Sequence, residues 1–473
     1  MLMTLGIILF VLVFFGLCIF IHEFGHLIAA LACGLHVDRF SIGFGKRLFG
    51  FKKWGVDFYI SALPFGGYVS LPQLEPVKTP RDAEGNALPE VKPIHKIITA
   101  FAGPFFNILF GFFLASFVWF FGIYEPAPAN SCIVSEVPVN SQEYKAGLKE
   151  GDEITRVNGK IFTNGWEEIA ETIILTAGNV KLTVLRDGAK KEIFYAPAPN
   201  PQAEGLGYPF FKVATPVVMN KIFSDTPAEN AGLLKGDIIQ SINGEMIKNQ
   251  THFITLIKQS KGNLLNMVVR RDGVDMTIPP FRAEINSKGK EPVFAIGVAI
   301  TVPMQKMHPT PWNQFIEIVD KTKKTVSSLF AKKSLVKPKH MSGPVGILQV
   351  IGLQLYSRGF MKALSIIILI TFNLAFINLF PLPVIDGGHI VLAMFQLITK
   401  KQVPVKMLNV IYTIFAVILI SFMAYVTFYD LQRAGKLFKI FSEPEKKEMI
   451  EKKKPETEKQ NIKTKIEEKE NAK

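Results

Sequence analysis

The chain has 473 residues, of which 48% are hydrophobic, and its Lys and Arg outnumber its Asp and Glu by 54 to 40. A mean hydropathy of +0.25 is high for a soluble protein and indicates several membrane spans separated by polar modules. The positive residues crowd beside apolar segments and in the tail, with no separate basic domain, which argues against nucleic acid as a partner. The three cysteines, Cys18, Cys33 and Cys132, predict no disulfide framework.

A first transmembrane helix with a metal-binding motif is predicted over residues 1–35. The segment before His22 is almost continuously apolar, and it lacks the basic n-region and cleavage site of a signal peptide. His22 and His26 stand at i and i+4 on one helix face, where they can share a Zn²⁺ ion, and Glu23 beside them can accept the proton of a water. Ionisable side chains at membrane depth are costly, so they indicate a functional site.

Residues 36–93 are predicted to form a membrane-reentrant β-loop and a solvated linker. Short strands are expected at 39–44 and 56–63, with glycines as turns between them. Phenylalanines mixed with lysines suit a hairpin dipping into a membrane face, although a soluble loop domain has the same pattern. An edge of this loop could pair with an unwound substrate segment, and the candidate substrate-binding glycines are Gly43, Gly66 and Gly67. A second span is expected over 94–124, in which Asn107 needs a partner inside the helix bundle and either bonds a neighbouring helix or acts directly in the site.

The region from 128 to 303 contains an internal repeat. Ala146-Gly147-Leu148 with a later Asn158-Gly159 recurs as Ala231-Gly232-Leu233 with Asn243-Gly244, and each copy continues with an amphipathic helix and an Arg-Asp-Gly turn. The copies resemble two tandem, circularly permuted PDZ domains over 128–212 and 213–303. Their glycine loops resemble the PDZ carboxylate-binding loop, whose N–H groups hold a peptide C-terminus; alternatively, the grooves stay empty and act as spacers. The candidate residues are Gly205, Leu206, Gly207, Ile296, Gly297 and Val298.

The remaining third of the chain returns to the membrane. Amphipathic membrane-surface helices are predicted over 304–345, with a cap packed on the neighbouring domain as the alternative. A third span with a proline break is predicted over 361–398, and a fourth span over 405–429. The Lys/Glu-rich tail at 440–473 is expected to be disordered.

A catalytic zinc ion needs a third protein ligand besides the two imidazoles. Asp386 is the best candidate, because a carboxylate in an apolar, proline-broken helix needs a cation. A helix cap or turn role for Asp386 is the alternative, and His389 is a rival that could bind the metal or orient a ligand.

These motifs occur in one order and together resemble the M50-type site-2 proteases, specifically the regulator-of-sigma-E type with two PDZ domains. The matching segments include 22–26, 63–69, 341–347 and 378–389. The resemblance implies a multi-pass α-helical membrane protein with four transmembrane helices and one catalytic Zn²⁺ held by His22, His26 and Asp386. It further implies that Glu23 is catalytic, and that substrate is positioned by Asn378, with Asn373 as a second candidate.

The predicted function is intramembrane cleavage of pre-cleaved single-span proteins, such as an anti-sigma factor or a remnant signal peptide, in regulated intramembrane proteolysis. The partners expected are those substrates, peptide C-termini at the PDZ grooves, and the lipid bilayer. Basic loops after spans one and three place the active site toward the cytoplasm of a bacterial inner membrane and the PDZ pair outside. A membrane-anchored zinc peptidase for exposed chains and a non-catalytic PDZ scaffold remain alternatives.

Overall fold

A computed structural model describes residues 2–75, 77, 79–286 and 293–435, so the predicted tail at 440–473 lies outside the described residues. The chain forms two compact units. Among the described residues, the membrane unit comprises 2–124, 306–326 and 341–431, and the PDZ unit comprises 125–305, 327–340 and 432–435.

The helices and strands follow one another along the chain. The helices are α1 (Leu2–Ala32), α2 (Pro93–Phe121), α3 (Gln142–Lys145), α4 (Gly165–Leu175), α5 (Pro227–Asn230), α6 (Gln250–Gln259), α7 (Pro311–Phe330), α8 (Pro344–Arg358), α9 (Phe360–Asn378), α10 (Asp386–Thr399) and α11 (Val405–Gly435). The strands are β1 (Arg39–Lys53), β2 (Val56–Ser70), β3 (Ile123–Pro126), β4 (Cys132–Glu136), β5 (Glu153–Val157), β6 (Val180–Arg186), β7 (Ala189–Tyr195), β8 (Lys212–Val213), β9 (Val217–Ile222), β10 (Ile238–Ile242), β11 (Glu245–Met246), β12 (Leu264–Arg271), β13 (Val274–Arg282), β14 (Glu284–Asn286), β15 (Val293–Ala295), β16 (Val298–Thr301) and β17 (Met304–Met307).

Four helices of the membrane unit, α1, α2, α9 and α11, are long and apolar enough to cross a bilayer. Helix α2 packs against α1, α9 and α10, and α8 packs against α9. Their shared core is apolar and includes Val11, Leu114, Ile367 and Phe372. Because only intrahelical bonds satisfy backbone groups in lipid, this bundle is the frame on which any polar site must be built.

The β-loop differs from the expected pair of short strands. Strands β1 and β2 have 15 residues each, because Gly43 and Gly45 adopt positive φ and bend β1 without ending it. The bent strands fold into a small sheet in which residues 39–42 lie between 57–60 and 67–70, while residues 49–53 pair with the other side of 56–60. The 67–70 segment is therefore an edge of the sheet.

The third apolar helix is interrupted as the prolines predicted. Helix α9 ends at Asn378, Pro381 and Pro383 lie in the break, and α10 begins at Asp386. Helix α8 was not expected: surface helices were predicted only as far as residue 345, whereas Pro344 occupies the first turn of a further 15-residue helix.

The described part of the PDZ unit contains two larger sheets that share a five-strand path, beside the small pair β14–β15. Their strand orders are β7-β6-β5-β4-β8 and β13-β12-β10-β9-β16, so in each copy the last strand of the copy lies beside its first. The predicted Arg-Asp-Gly turns connect β6 to β7 and β12 to β13, and Asp187 and Asp272 take positive φ there. Each copy encloses its own apolar core, with Leu182 and Leu265 completely buried.

A buried ion pair recurs in both copies. Asp152 is 1% exposed and accepts two hydrogen bonds from Arg186, at 2.6 and 2.7 Å. Asp237, also 1% exposed, accepts the equivalent pair from Arg271, both at 2.7 Å. Bidentate pairing of this kind satisfies a buried carboxylate, which would otherwise be strongly destabilising.

We predict that Arg186→Met lowers the free energy of unfolding of the first PDZ domain by about 3 to 5 kcal/mol, because it leaves the Asp152 carboxylate buried and unpaired. Arg270→Met is the matched control. Its pair with Asp275 is about half exposed, so its loss is expected to cost no more than about 1 kcal/mol. Amide hydrogen exchange of the full chain in detergent, read on peptides from each domain, measures both. Equal effects of the two variants would contradict the prediction.

Candidate metal centre

Two buried imidazoles form the centre of the site. His22 and His26 are 7% and 5% exposed, and their Nε2 atoms lie 3.2 Å apart on one face of α1. The Nδ1–H of His26 donates to the carbonyl oxygen of Thr99 on α2, at 2.8 Å. That bond fixes the ring tautomer, so the His26 Nε2 presents a lone pair to the site.

His22 is oriented by an amide from the second helix. Asn107 is completely buried, and its side chain lies 3.3 Å from the Nδ1 of His22. The Asn107 oxygen has no other partner among the described residues, so we assign the amide with that oxygen accepting from the His22 Nδ1–H. Asn107 therefore does for His22 what the Thr99 carbonyl does for His26. The Asn378 amide also reaches His22, at 3.2 Å from its Nε2.

The carboxylate that meets the imidazoles comes from the other end of the sequence. Asp386 is the first residue of α10, where its Oδ2 lies 3.1 Å from the Nε2 of His22 and its Oδ1 lies 3.3 Å from the Nε2 of His26. The prolines before α10 end α9 and bring this helix start back to α1. Asp386 therefore lies beside the two histidines. Its position in the sequence alone could not establish this.

The donor set fits a zinc ion. His22, His26 and Asp386 each offer one ligand atom within 4.8 Å of the others, the only such group among the described residues. Bonds of about 2.0–2.1 Å at tetrahedral angles separate ligand atoms by roughly 3.3 Å. The two imidazole nitrogens lie 3.2 Å apart, and a different Asp386 oxygen lies 3.1 or 3.3 Å from each of them. The buried Asp386 Oδ2 also lacks a well-aligned hydrogen bond. Two imidazoles and a carboxylate leave one tetrahedral position for water or substrate.

Close helix contacts at glycines make this convergence possible. A Cβ atom on Gly103 of α2 would lie 2.2 Å from the His26 Nε2, and one on Gly25 of α1 would lie 2.5 Å from the Ala102 carbonyl oxygen. At the start of α10, a Cβ on Gly387 would lie 2.0 Å from the Phe380 carbonyl oxygen. A larger residue at Gly25 or Gly387 would have to move the backbone of the neighbouring segment, whereas one at Gly103 would have to displace the His26 ring.

Glu23 lies beside the cluster and contacts the β-loop. Its Oε2 accepts a hydrogen bond of 3.0 Å from the backbone N–H of Val69, on the edge segment 67–70. A Cβ on Gly67 would lie 3.6 Å from the Glu23 Cγ, so this glycine also borders the site. The sheet edge and the acidic side chain are therefore neighbours.

Other predicted site residues lie elsewhere. The Asn373 Oδ1 accepts from the Thr322 hydroxyl on α7 at 2.6 Å, so the oxygen of this amide is bound to another helix. His389 is outside the cluster, and its ring packs 6.1 Å from that of Tyr412. Gly43 and Gly66 occupy positive-φ bends of the β-loop. The two glycine loops of the PDZ unit lie before β8 and β16.

Two contributors to the site were not predicted, the carbonyl of Thr99 and the N–H of Val69. Both act through the backbone, so the side-chain type carries no signal for either. Gly103 is a small residue of the kind that permits close helix approach, and the structure identifies the His26 ring as the group that approaches it.

Comparisons with known proteins agree with one family. The sequence profile of peptidase family M50 matches residues 10–422. A protein described as a zinc metalloprotease from Vibrio cholerae is 31% identical over 88% of this chain and 96% of its own length. Regulator of sigma-E protease RseP from Escherichia coli is 29% identical over the same shares of the two chains. A solved PDZ domain of an SdrC-like protein from Listeria monocytogenes is 21% identical, covers 18% of this chain and 86% of its own, and has a TM-score of 0.16.

We predict that Gly103→Ala weakens zinc binding by about 10- to 100-fold, because the new Cβ would displace the His26 ring from its place beside His22 and Asp386. Gly16→Ala is the matched control in α1, since no atom lies within 4 Å of the position of its Cβ. Zinc titration of the purified chains against a competing chelator gives the affinities. Unchanged affinity in Gly103→Ala would show that His26 is not held by this contact.

Proposed function

We propose that this chain, which belongs to peptidase family M50, cuts within the transmembrane segments of pre-cleaved membrane proteins. The family and the named relatives make it a membrane zinc metalloprotease of regulated intramembrane proteolysis. The observation that supports cleavage inside the membrane is the place of the ligand set. His22, His26 and Asp386 meet among apolar helices, and ionisable groups there are retained only for a function.

The roles of the residues follow from their geometry. We assign His22, His26 and Asp386 as ligands of one zinc ion, which when bound polarises a carbonyl and makes water acidic. Glu23 is the general base that takes the proton of the attacking water and later gives it to the leaving amine. The Val69 N–H holds the Glu23 carboxylate in place, and the Asn378 amide can donate to the substrate carbonyl.

The β-loop supplies a binding edge for an unwound substrate. N–H groups alternate sides along a strand, and that of Val69 points to Glu23, so the backbone groups of Gly67 face the same side. A substrate strand added along 67–70 would recover hydrogen bonds that it loses when its helix unwinds, with its scissile bond beside Glu23. Gly67 is then the glycine closest to substrate, while Gly43 and Gly66 shape the loop. Membrane re-entry of this loop is part of the proposal.

The PDZ unit receives or excludes the outer part of the substrate. Each copy has its last strand beside its first, which supports the circularly permuted arrangement. Peptide C-termini are the proposed ligands of the glycine loops. The natural substrates are single-span proteins already shortened by another protease, with anti-sigma factors and remnant signal peptides as the classes to test.

The proposed location is a bacterial inner membrane, with the metal centre toward the cytoplasm and the PDZ unit outside. Basic residues after α1 and around 400–406 support this orientation. The positions of the metal ligands favour this activity over a peptidase for exposed chains. A non-catalytic PDZ scaffold would leave the convergence of Asp386 on the imidazoles without a purpose.

We predict that Glu23→Gln lowers cleavage of a single-span reporter by about 100- to 10,000-fold while zinc content stays at the level of the natural sequence. The amide cannot take a proton, but Glu23 is not one of the three grouped ligand atoms. Glu84→Gln, on the exposed linker, is the control and should cleave normally. Both are measured in detergent by reporter cleavage and metal analysis. Retained cleavage in Glu23→Gln would exclude this mechanism.

We also predict that substrate pairs with only one edge of the small sheet. In the Glu23→Gln background, single cysteines at Tyr68 and at Lys52 sample the edge beside Glu23 and the far edge. A reporter with one cysteine near its cleavage site should form a disulfide with Tyr68→Cys at least several times faster than with Lys52→Cys. Equal rates, or a preference for Lys52→Cys, would exclude strand addition along 67–70.

A further inference from the structure

The first PDZ domain is contacted by a segment of its own chain, residues 328–340, here called the tether. The Ser328 hydroxyl donates to the carbonyl of Leu175, the last residue of α4. At the other end of the tether, the His340 Nε2 lies 3.2 Å from the carbonyl oxygen of Glu204. Between them, Ser334 and Val336 are only 2% and 6% exposed. The tether is thus held to the domain at both of its ends, and residues between them are buried.

The middle of the tether lies on the glycine loop that was predicted to bind a peptide carboxylate. A Cβ on Gly207 would be 3.1 Å from the Leu335 Cδ1, so the Leu335 side chain covers this glycine. Arg433 joins the two segments, because its guanidinium contacts the Lys339 carbonyl and lies 3.1 Å from the Glu204 carboxylate. The surface around the loop is therefore already in contact with protein.

The loop itself has few donors to offer. The N–H of Gly205 donates to the Asn200 carbonyl at 2.8 Å, and that of Leu206 donates to the Ala203 carbonyl at 2.9 Å. A carboxylate-binding loop needs such N–H groups free. The side of the loop is closed as well, because the Tyr208 hydroxyl accepts a bond of 3.2 Å from the Trp166 indole at the start of α4.

The second PDZ domain differs from the first in the N–H of Ile296, which corresponds to Leu206, and at two aromatic positions. The Gly297 position is covered like that of Gly207, because a Cβ there would lie 2.3 Å from the Thr226 side chain. No described residue accepts a hydrogen bond from the N–H of Ile296 or Gly297, whose carbonyls accept from Ala228 and Phe223. Val298 stands where the first loop has Tyr208 when Gly205-Leu206-Gly207-Tyr208 is aligned with Ala295-Ile296-Gly297-Val298. Thr251 stands where α4 has Trp166, counted from the Asn-Gly turn of each copy. The edge strand β16 therefore has no counterpart of the contact between Trp166 and Tyr208.

We propose that the first glycine loop, 204–208, is an internal docking site for the tether, and that peptide C-termini bind only at the second loop. This deepens the proposed function and rests on its claim that peptide ends are ligands of the PDZ unit. Leu335 fills the place of a ligand's terminal apolar side chain, and the internal bonds of Gly205 and Leu206 replace those to a carboxylate. The duplicated domains then have different tasks, one anchoring the chain and the other binding a partner.

Docking is tested without any peptide by an engineered disulfide. A Cβ on Gly207 would lie 4.0 Å from the Leu335 Cβ, within the roughly 3.5–4.5 Å range of disulfides. Gly207→Cys with Leu335→Cys in the full chain should cross-link almost completely under mild oxidation. Gly207→Cys with the exposed neighbour Lys337→Cys is the control and should cross-link poorly. The native Cys132 is a weak competitor, since burial raises the pKa of its thiol to about 11.

Peptide binding is tested on the full-length Glu23→Gln chain. The probe is a fluorescent peptide with a free C-terminal valine and a benzophenone two residues earlier, and its C-terminal amide is the control. Irradiation should label residues 217–301 and not 204–208. The 207–335 disulfide should change the peptide Kd by less than about twofold.

Three outcomes separate the two claims. Labelling at 204–208, or a several-fold loss of binding when the disulfide forms, overturns the docking proposal. Failure of the Gly207→Cys/Leu335→Cys pair to cross-link above its control also overturns it. A disulfide that forms while the peptide binds neither domain removes peptide ends as ligands, and with them the task assigned here to the second loop, while the docked tether stands.

Discussion

The meeting of one carboxylate with two imidazoles inside an apolar bundle is the interaction on which the membrane unit depends. None of these side chains is stable alone in hydrocarbon, because a buried polar or charged group needs a partner. Asp386, His22 and His26 supply partners for one another, and a cation held between them would complete the charge balance. Their separation in sequence means that α1 and α10 must both be correctly placed before any of the three is satisfied. The site therefore also selects the packing of the helices that carry it.

The helices can come this close only where side chains are absent. Gly25 and Gly103 remove the Cβ atoms that would separate α1 from α2, while Gly387 lets the start of α10 fold onto the end of α9. Without a hydrophobic driving force between helices in lipid, such close packing and interhelical hydrogen bonds hold the bundle together. The backbone carbonyl of Thr99 and the amide of Asn107 then orient the imidazoles. The contacts that pack the helices of this unit therefore also position the metal-binding side chains.

Much of this arrangement could be predicted from residue type and spacing. The His-Glu-x-x-His helix and the proline break can be recognised from the sequence. Ionisable side chains and prolines inside an apolar helix are costly, so they indicate a site or a break. The long bent strands could not be predicted, because glycines such as Gly43 and Gly45 give the same sequence pattern in a bend within one strand as in a turn between two strands. Helix α8 was missed because its polar residues, among them Gln349 and Gln354, do not lie on one face and so give no clear helical period. Backbone donors and acceptors such as those of Val69 and Thr99 leave no mark in a sequence.

The PDZ unit also has a property that could not be predicted from its sequence. The two copies share their strand order and their buried Asp–Arg pair, features that stabilise a fold and that duplication preserves together. Their glycine loops match in sequence pattern, so sequence predicts one activity for both. Yet whether a loop can bind a ligand depends on which of its N–H groups are already used and on what lies over it. Asn200 and Ala203 accept bonds from the first loop and Leu335 covers it, and these contacts exist only in three dimensions. A repeated motif therefore establishes a repeated fold, whereas repeated binding requires that the same donors be free in both copies.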